Sequence, residues 1–563
     1  AVLPVVLFHF GISAIPGGFS GVDIFFVISG YLISGSLLDD LERGQFSIVN
    51  FYWRRARRIL PALVFVMLLT CIAALFILLP SDLREFGLSI IAASTFWSNV
   101  FFWKTSSYFS IDAALRPLLH TWSLSVEEQY YIFAPILMFL IYRYIGKRWL
   151  TTLLPIILCS FVMAAGFGLL AIGFFALSES DPFPGYNALY PCIGTALLIY
   201  VGQNSPSTVA SRMLEVRPLV WIGLISYSLY LVHWPLNAFA HYLSFQKLDP
   251  LMTGAMLVAS LALAAFSWKF VEQPFRQKRA FTAPGPIFAF SALAIVVLCA
   301  GGAAGALGNG FPQRFPDYVQ RRISVGDWRN GICFNEGTSR IESWNMEDCT
   351  RTRGFPTTVF LWGDSFAAHY VSGLGANINR LQANIVEYTY AGCPPILSYY
   401  SYARLDCVRF NRKALDIILE ADIKTVILSG KWSDYEVRGF DGLQQTIDTL
   451  RALGVRVFVI GQSPQFPTDV RKIAFFAKRQ NLDDTSWPMA MDPGINERVR
   501  SFTKGATFID PLKFLCSAGR CPYSDRGEFM YFDYGHFSSA GATLAISKYW
   551  PAFGKDNALP KTK

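Results

Sequence analysis

Long apolar runs, most of them ended by a short basic cluster, fill the sequence as far as Leu307 and then stop. A run of about 20 apolar residues can cross a bilayer as a helix, and in lipid only a helix or a closed barrel satisfies its own backbone. The pattern predicts spans at 21–38, 59–80, 124–142, 152–176, 187–202, 219–240, 251–268 and 286–307, and a partial one at 1–12. The stretch 86–103 is apolar but short and is expected to be re-entrant, for about nine to eleven spans in all. Ala1 opens inside an apolar run with no Met and no charged leader, so the chain is expected to lack its natural start.

Basic clusters mark cytoplasmic ends of spans. They are Arg54, Arg55, Arg57 and Arg58; Arg143 with Lys147 and Arg148; Arg212 with Arg217; and Lys269 with Arg276, Lys278 and Arg279. With 86–103 re-entrant, all four fall on one side, and the last span carries the rest of the chain out of the cytoplasm. These clusters account for the net charge of +9, so no nucleic acid is expected as a partner.

At 53% hydrophobic the whole chain is too apolar for an ordinary soluble protein, but the excess is confined to the first part. After Asn309 polar density is normal, and short β-type runs alternate with helical ones. The organisation expected is a membrane domain at 1–308, a linker or extension at 309–355 and a globular domain at 356–563. Six of the ten cysteines fall in the last two segments as near neighbours: Cys333 and Cys349, Cys393 and Cys407, Cys516 and Cys521. Local pairing is the simplest arrangement, although sequence alone leaves every pairing open. Six cysteines in one exported domain fit an oxidising compartment, and with no CxxC pair or Cys/His cluster no metal is expected.

Polar groups inside spans are costly and are functional candidates. His9, Asp23, His120, Glu127, His233 and Glu272 form such a set, each within a distinctive run: GGFSGVDIFFVISGYLIS holds Asp23, HTWSLSVEEQYY holds His120 and Glu127, ISYSLYLVHWP holds His233, and WKFVEQPFR holds Glu272. The arginines at 54–58 read either as a topological anchor or as a phosphate clamp, since guanidinium grips phosphate with two bonds.

In that order these runs, with FYWRRARRILPAL, resemble the acyltransferase 3 family of integral membrane proteins. The resemblance implies transfer of an acyl group, usually acetyl, from cytosolic acyl-CoA to an acceptor outside the cytoplasm. It makes His9 the catalytic base or acyl relay and Arg55 with Arg58 the pair that holds CoA phosphates. The family's Arg about ten residues before that His would precede Ala1. The segment PFPGYNALYPCIGTALLIY departs from the family pattern.

In the second part, TVFLWGDSFAAHY places Ser365 between a β-type run and a helical one, where a nucleophile's turn belongs. Asp533 and His536 lie three apart downstream, so one turn can present both. A serine needs an imidazole to take its proton, and a carboxylate orients that imidazole. His369 is the other candidate base; Asp533 favours His536. The arrangement resembles the SGNH hydrolase-like family, an α/β, flavodoxin-like, three-layer fold, here joined to a multipass α-helical membrane domain as in acyltransferase 3–SGNH fusions. It implies Ser365 as nucleophile, His536 as base, Asp533 as orienter, and the Ser365 N–H with Gly392 in the oxyanion hole. Where the family has Gly-x-Asn-Asp this chain has Gly430-Lys431-Trp432-Ser433, so one donor has no counterpart.

The function expected is a membrane O-acetyltransferase that moves acetyl from acetyl-CoA, as donor substrate rather than bound cofactor, to a hydroxyl of a bacterial surface polysaccharide such as lipopolysaccharide O-antigen. The rivals are an exported glycan esterase with a membrane anchor and a transporter with a glycan-binding domain.

Overall fold

The structure, a computed structural model, describes residues 1–563 except 106–114, 146–173, 175–185, 205–213, 245–247, 316–322, 336–340, 402–404, 437–438, 483–484 and 555–563. The chain forms two compact units, Ala1–Arg314 and Phe315–Lys563. The span expected at 152–176 lies almost wholly outside the described residues, as do Lys147, Arg148 and Arg212 of the basic clusters.

The first unit is helical. Among the described residues, five helical segments are long and apolar enough to cross a membrane: Gly18–Glu42, Ile48–Ile77, Arg217–Ser244, Pro250–Arg276 and Pro284–Leu307. Their large exposed apolar side chains, Phe76 and Leu307 among them, suit a lipid surface. The segment expected to be re-entrant is two helices, Pro80–Ser94 and Ser98–Thr105, with Phe96 at φ 57 between them. A side chain is strained in that left-handed conformation, so it ends one helix and redirects the next. Pro80–Ser94 packs along Pro284–Leu307, and a Cβ on Gly87 or on Gly302 would come within 2.5 Å of the other's carbonyl oxygen. Only glycine permits that approach.

The arginines at 54–58 are continuous with the span expected at 59–80. They form the early turns of one 30-residue helix, Ile48–Ile77, whose first turn is capped by Ser47 accepting from the Asn50 N–H. Arginine has high helix propensity and a long stem that lies along an apolar surface, so nothing local breaks the helix there.

The second unit is a three-layer α/β domain. Its first seven strands are β1 Phe334–Asn335, β2 Thr358–Gly363, β3 Asn384–Tyr390, β4 Thr425–Ser429, β5 Arg456–Ile460, β6 Ser486–Pro488 and β7 Thr507–Ile509. All but β6 form one parallel sheet in the order β1-β3-β2-β4-β5-β7. Without the edge strand β1 this is flavodoxin-like order. Both faces are covered, as parallel strands require. Val359 and Leu361 of β2 pack on the side of helices Val371–Ala376 and Ser539–Gly554. Phe360 and Trp362 pack on the side of Cys407–Glu420 and Asp441–Ala452. The chain leaves β2 to one side for β3 and returns to the other for β4. The C-terminal end of β2 is therefore the switch point, where ligands of such sheets bind.

The segment expected as a linker or extension takes part in this fold. It supplies β1, and Arg351 from it pairs with the fully buried Glu387 of β3. The three local cysteine pairs are disulfides: Cys333–Cys349, Cys393–Cys407 and Cys516–Cys521.

Candidate active sites

Strand β2 ends at Gly363, where a Cβ would meet the carbonyl oxygen of Ser429 at 1.8 Å. The chain turns there, Asp364 caps the short helix Ser365–Ala368 by accepting from the Phe366 N–H at 2.7 Å, and Ser365 becomes its first residue. Ser365 Oγ donates to His536 Nε2 at 2.8 Å. On the other side of the ring, His536 Nδ1–H donates to Asp533 Oδ2 at 2.7 Å. Asp533 Oδ1 accepts the backbone N–H groups of Gly535 and His536, both at 2.8 Å, so the Asp-Tyr-Gly-His turn is closed by its own carboxylate. Burial acts to raise the Asp533 carboxyl, but the His536 charge and these hydrogen bonds outweigh it and hold its pKa low. It stays ionised and fixes the tautomer that leaves Nε2 free to accept the serine proton.

His369 is placed otherwise. Its ring is buried and its Nδ1 accepts the Phe537 N–H at 3.3 Å. Ring centroids put it 6.0 Å from His536. Burial and the His536 charge hold its pKa well below the usual value, so it is a neutral packing residue behind His536.

Gly392 follows β3 at φ 72, beside Cys393 of a disulfide. The segment Gly430–Ser433 departs from its family counterpart for a visible reason. Trp432 occupies the asparagine's place, and its indole is buried in the core with Nε1 donating to the Ile460 carbonyl at 2.8 Å. It offers nothing to the site.

Sequence reading missed three neighbours. Asp364 Oδ2 accepts the Lys431 N–H at 2.8 Å and the Tyr435 hydroxyl at 2.6 Å, which ties the residue before Ser365 to the loop after β4. Burial pushes its pKa up to about 6, against these donors and the His536 charge, which pull it down. Lys431 Nζ lies 3.0 Å from Asp434 and over the ring of Tyr534, the residue after Asp533. Trp328, from the extension, sets its ring 5.7 Å from that of His536. Only the Gly-Asp-Ser triplet carried any signal of these contacts, which join residues far apart in the chain.

The first unit gathers the intramembrane polar residues into separate clusters. His9, the last residue of helix Val2–His9, has Nδ1 3.0 Å from Nε2 of the fully buried His233. His120 sets its ring 6.1 Å from that of His233 and 5.5 Å from that of Tyr230. Glu127 accepts from Ser29 and Tyr131. Glu272 sits in a π-helical turn, Ser267–Glu272, where it accepts from Ser228 at 3.1 Å and pairs with Arg276 at 2.8 Å. Such turns often mark functional positions. Asp23 lies apart, half-buried in the first turn of helix Gly21–Glu42.

The arginine cluster lines a cavity of about 470 Å³ with Asn50, Trp53 and Lys278. Its members differ. Arg57 is buried and donates to the Phe275 and Arg276 carbonyls, which makes it structural. Arg54 pairs with Asp40 at 2.5 Å. Arg55 lies over the rings of Phe51 and Tyr131, and its buried Nε has no hydrogen-bond partner among the described residues. Arg58 lines the same cavity.

Residues 1–166 match the model of an acyltransferase domain, and residues 332–551 match that of an SGNH domain fused to such domains. A candidate membrane-bound transacylase, BcsY of Komagataeibacter xylinus, is 30% identical over 317 residues, which are 48% of this chain and 80% of BcsY. The chain belongs to the acyltransferase 3 family. It is a multipass membrane protein with a C-terminal SGNH domain. The O-acetyltransferase OatA of Staphylococcus aureus (strain NCTC 8325 / PS 47) is 27% identical over 339 residues, 49% of this chain. The chain spans about half the length of that relative, 56%. The solved periplasmic domain of a Salmonella ser. Paratyphi A lipopolysaccharide acetyltransferase is 21% identical, with 39% of this chain and 90% of that one matched and a TM-score of 0.33. In the SGNH domain, then, the serine, imidazole and carboxylate form one hydrogen-bonded line at the sheet's switch point. In the acyltransferase domain, the histidines and the arginine-lined cavity are distinct clusters.

Proposed function

We propose that the protein is a bacterial inner-membrane O-acetyltransferase that takes acetyl from cytosolic acetyl-CoA and places it on a hydroxyl of a surface polysaccharide, such as lipopolysaccharide O-antigen or its lipid-linked precursor. The observation that carries this reading is the Ser365–His536–Asp533 line, which equips the SGNH domain for acyl transfer through a serine. Kinship with a protein named as an O-acetyltransferase supports acetyl as the group moved.

In this scheme Arg55 and Arg58 hold the donor's phosphates in their cavity, and His9 serves the release of the acyl group from sulfur. The acyl group then reaches Ser365, directly or through a carrier. Ser365 Oγ bonds to the acyl carbon as its proton passes to His536 Nε2, which returns it to the departing group. The acceptor hydroxyl next attacks the acyl-serine. Its proton goes to His536, the new ester leaves, and Ser365 recovers its proton. The Ser365 N–H and Gly392 face the oxyanion. The SGNH domain works in the periplasm, where its disulfides are stable.

The test is mass spectrometry of surface polysaccharide from cells expressing wild type or Ser365→Ala at matched membrane levels. Loss of acetyl in the variant is expected. Full acetylation in the variant would make the SGNH domain a binding module, and a rise in acetyl would make it an esterase.

A further inference from the structure

His233 has one ring nitrogen whose state is dictated by its surroundings. Nδ1 lies 2.8 Å from the Tyr230 carbonyl and 3.1 Å from the Leu229 carbonyl. Carbonyl oxygens only accept, so Nδ1 carries the hydrogen. The groups facing this ring are His9, His120 and Tyr230. Among the described residues none of these is a carboxylate, and the ring is fully buried. In neutral His233 the other ring nitrogen, Nε2, is then a bare lone pair.

That lone pair lies 3.0 Å from His9 Nδ1. The two rings are tilted by only 6°, with centroids 5.3 Å apart. This separation is accounted for by the 3.0 Å contact plus the two ring radii, so the rings meet edge to edge in one plane along a straight N–H···N bond. His9 Nδ1 is therefore the donor, and in neutral His9 the remaining lone pair sits on Nε2.

We propose that His233 is a positioning residue that fixes His9 in the Nδ1–H tautomer and so directs its basic nitrogen, Nε2, at the reacting group. It does for His9 what a carboxylate does for a triad histidine, but without charge, which suits a site in the membrane. When Nε2 takes a proton, the Nδ1–H···Nε2 bond becomes charge-assisted and stabilises the imidazolium where it forms. Asn237, one helical turn after His233, donates from Nδ2 to the His9 carbonyl at 3.0 Å. One helix thus holds both the ring and the backbone of His9. The inference rests on the reading of His9 as the base.

The test uses the full chain in lipid with ¹⁵N-labelled histidine, the His9 signals being assigned by their loss in His9→Gln. Solid-state NMR is expected to show His9 with Nδ1 protonated and Nε2 bare. In His233→Ala that signature should give way to the Nε2–H form or a mixture, and kcat for acyl-CoA use should fall about 10²-fold with KM nearly unchanged. His233→Gln, whose side-chain oxygen can accept the same hydrogen, should restore the signature and most of the rate. An Nε2–H signal for His9 in wild type overturns the inference, as does an unchanged signature and rate in His233→Ala. If the tautomer is as stated but His9→Ala still transfers acetyl, the reading of His9 as base fails while the geometric assignment stands.

Discussion

The carboxylate of Asp364 holds the backbone N–H of Lys431 at 2.8 Å, which locks the residue before Ser365 to the loop after β4. The Tyr435 hydroxyl makes a second bond to the same oxygen. Asp364→Asn puts an amide that donates among groups that donate. It is expected to cost about 1–3 kcal/mol of stability in the SGNH unit and to lower the acetylation rate. Tyr435→Phe, which removes one donor and leaves the backbone bond, should cost less. Thermal unfolding followed by tryptophan fluorescence checks the order of the two.

The pH dependence has a defined sign. Burial raises Asp364 to about 6 and Glu387 to about 7. An acid with a raised folded pKa binds more protons folded than unfolded, so the stability it contributes is present below its unfolded value and is lost as pH rises through its folded one. Between about pH 4 and 7 these two groups should make the SGNH unit less stable with rising pH. Glu387→Gln should flatten the upper part of that slope. Asp533 runs the other way: its lowered pKa adds stability above the unfolded value that is lost only in stronger acid. Unfolding midpoints across that range, in wild type and variant, are the measurement.

The triad makes a graded prediction. Ser365→Ala and His536→Ala should each lower polysaccharide acetylation by about 10³-fold or more, and Asp533→Asn by as much or less. His369→Gln, which keeps an acceptor near the Phe537 N–H, should stay within a few-fold of wild type. A dead His369→Gln beside an active His536→Ala would reverse the assignment of the base.

The arginines should separate by role. Arg55→Ala with Arg58→Ala is expected to weaken acyl-CoA binding by about 10–10²-fold or more, with insertion intact. Lysines at both positions should rescue only part of this, because a point charge cannot form the two-pronged bond. Arg57→Ala should instead destabilise the membrane unit, since it leaves the Phe275 and Arg276 carbonyls without their donor. CoA titration and detergent melting of the same preparations distinguish the two effects.

Removing the Cys333–Cys349 bond with serine at both positions should lower SGNH-unit stability by about 3 kcal/mol. Trp328 lies just before that loop and against His536, so acetylation should fall with it. Melting and acetyl content in the same variant test whether the extension supports the site.

Much of this protein is legible in its sequence because the features concerned are local. Apolar length decides what can cross a membrane, and one sheet period around Gly-Asp-Ser sets a strand against a helix. The Asp533–His536 spacing closes a single turn, and the three disulfides join cysteines at most 16 residues apart. The contacts that give the sites their chemistry are not local. His536 meets Ser365 across 171 positions and His233 meets His9 across 224. Trp432 is a core residue where its family counterpart is a donor, and Arg57 is structural while its neighbour Arg55 faces a cavity. Residue type and spacing are the same for a guanidinium that binds a carbonyl and one that faces a cavity. Which of these it does depends on what the fold places within hydrogen-bond reach, and a hydrogen bond acts only over about 3 Å.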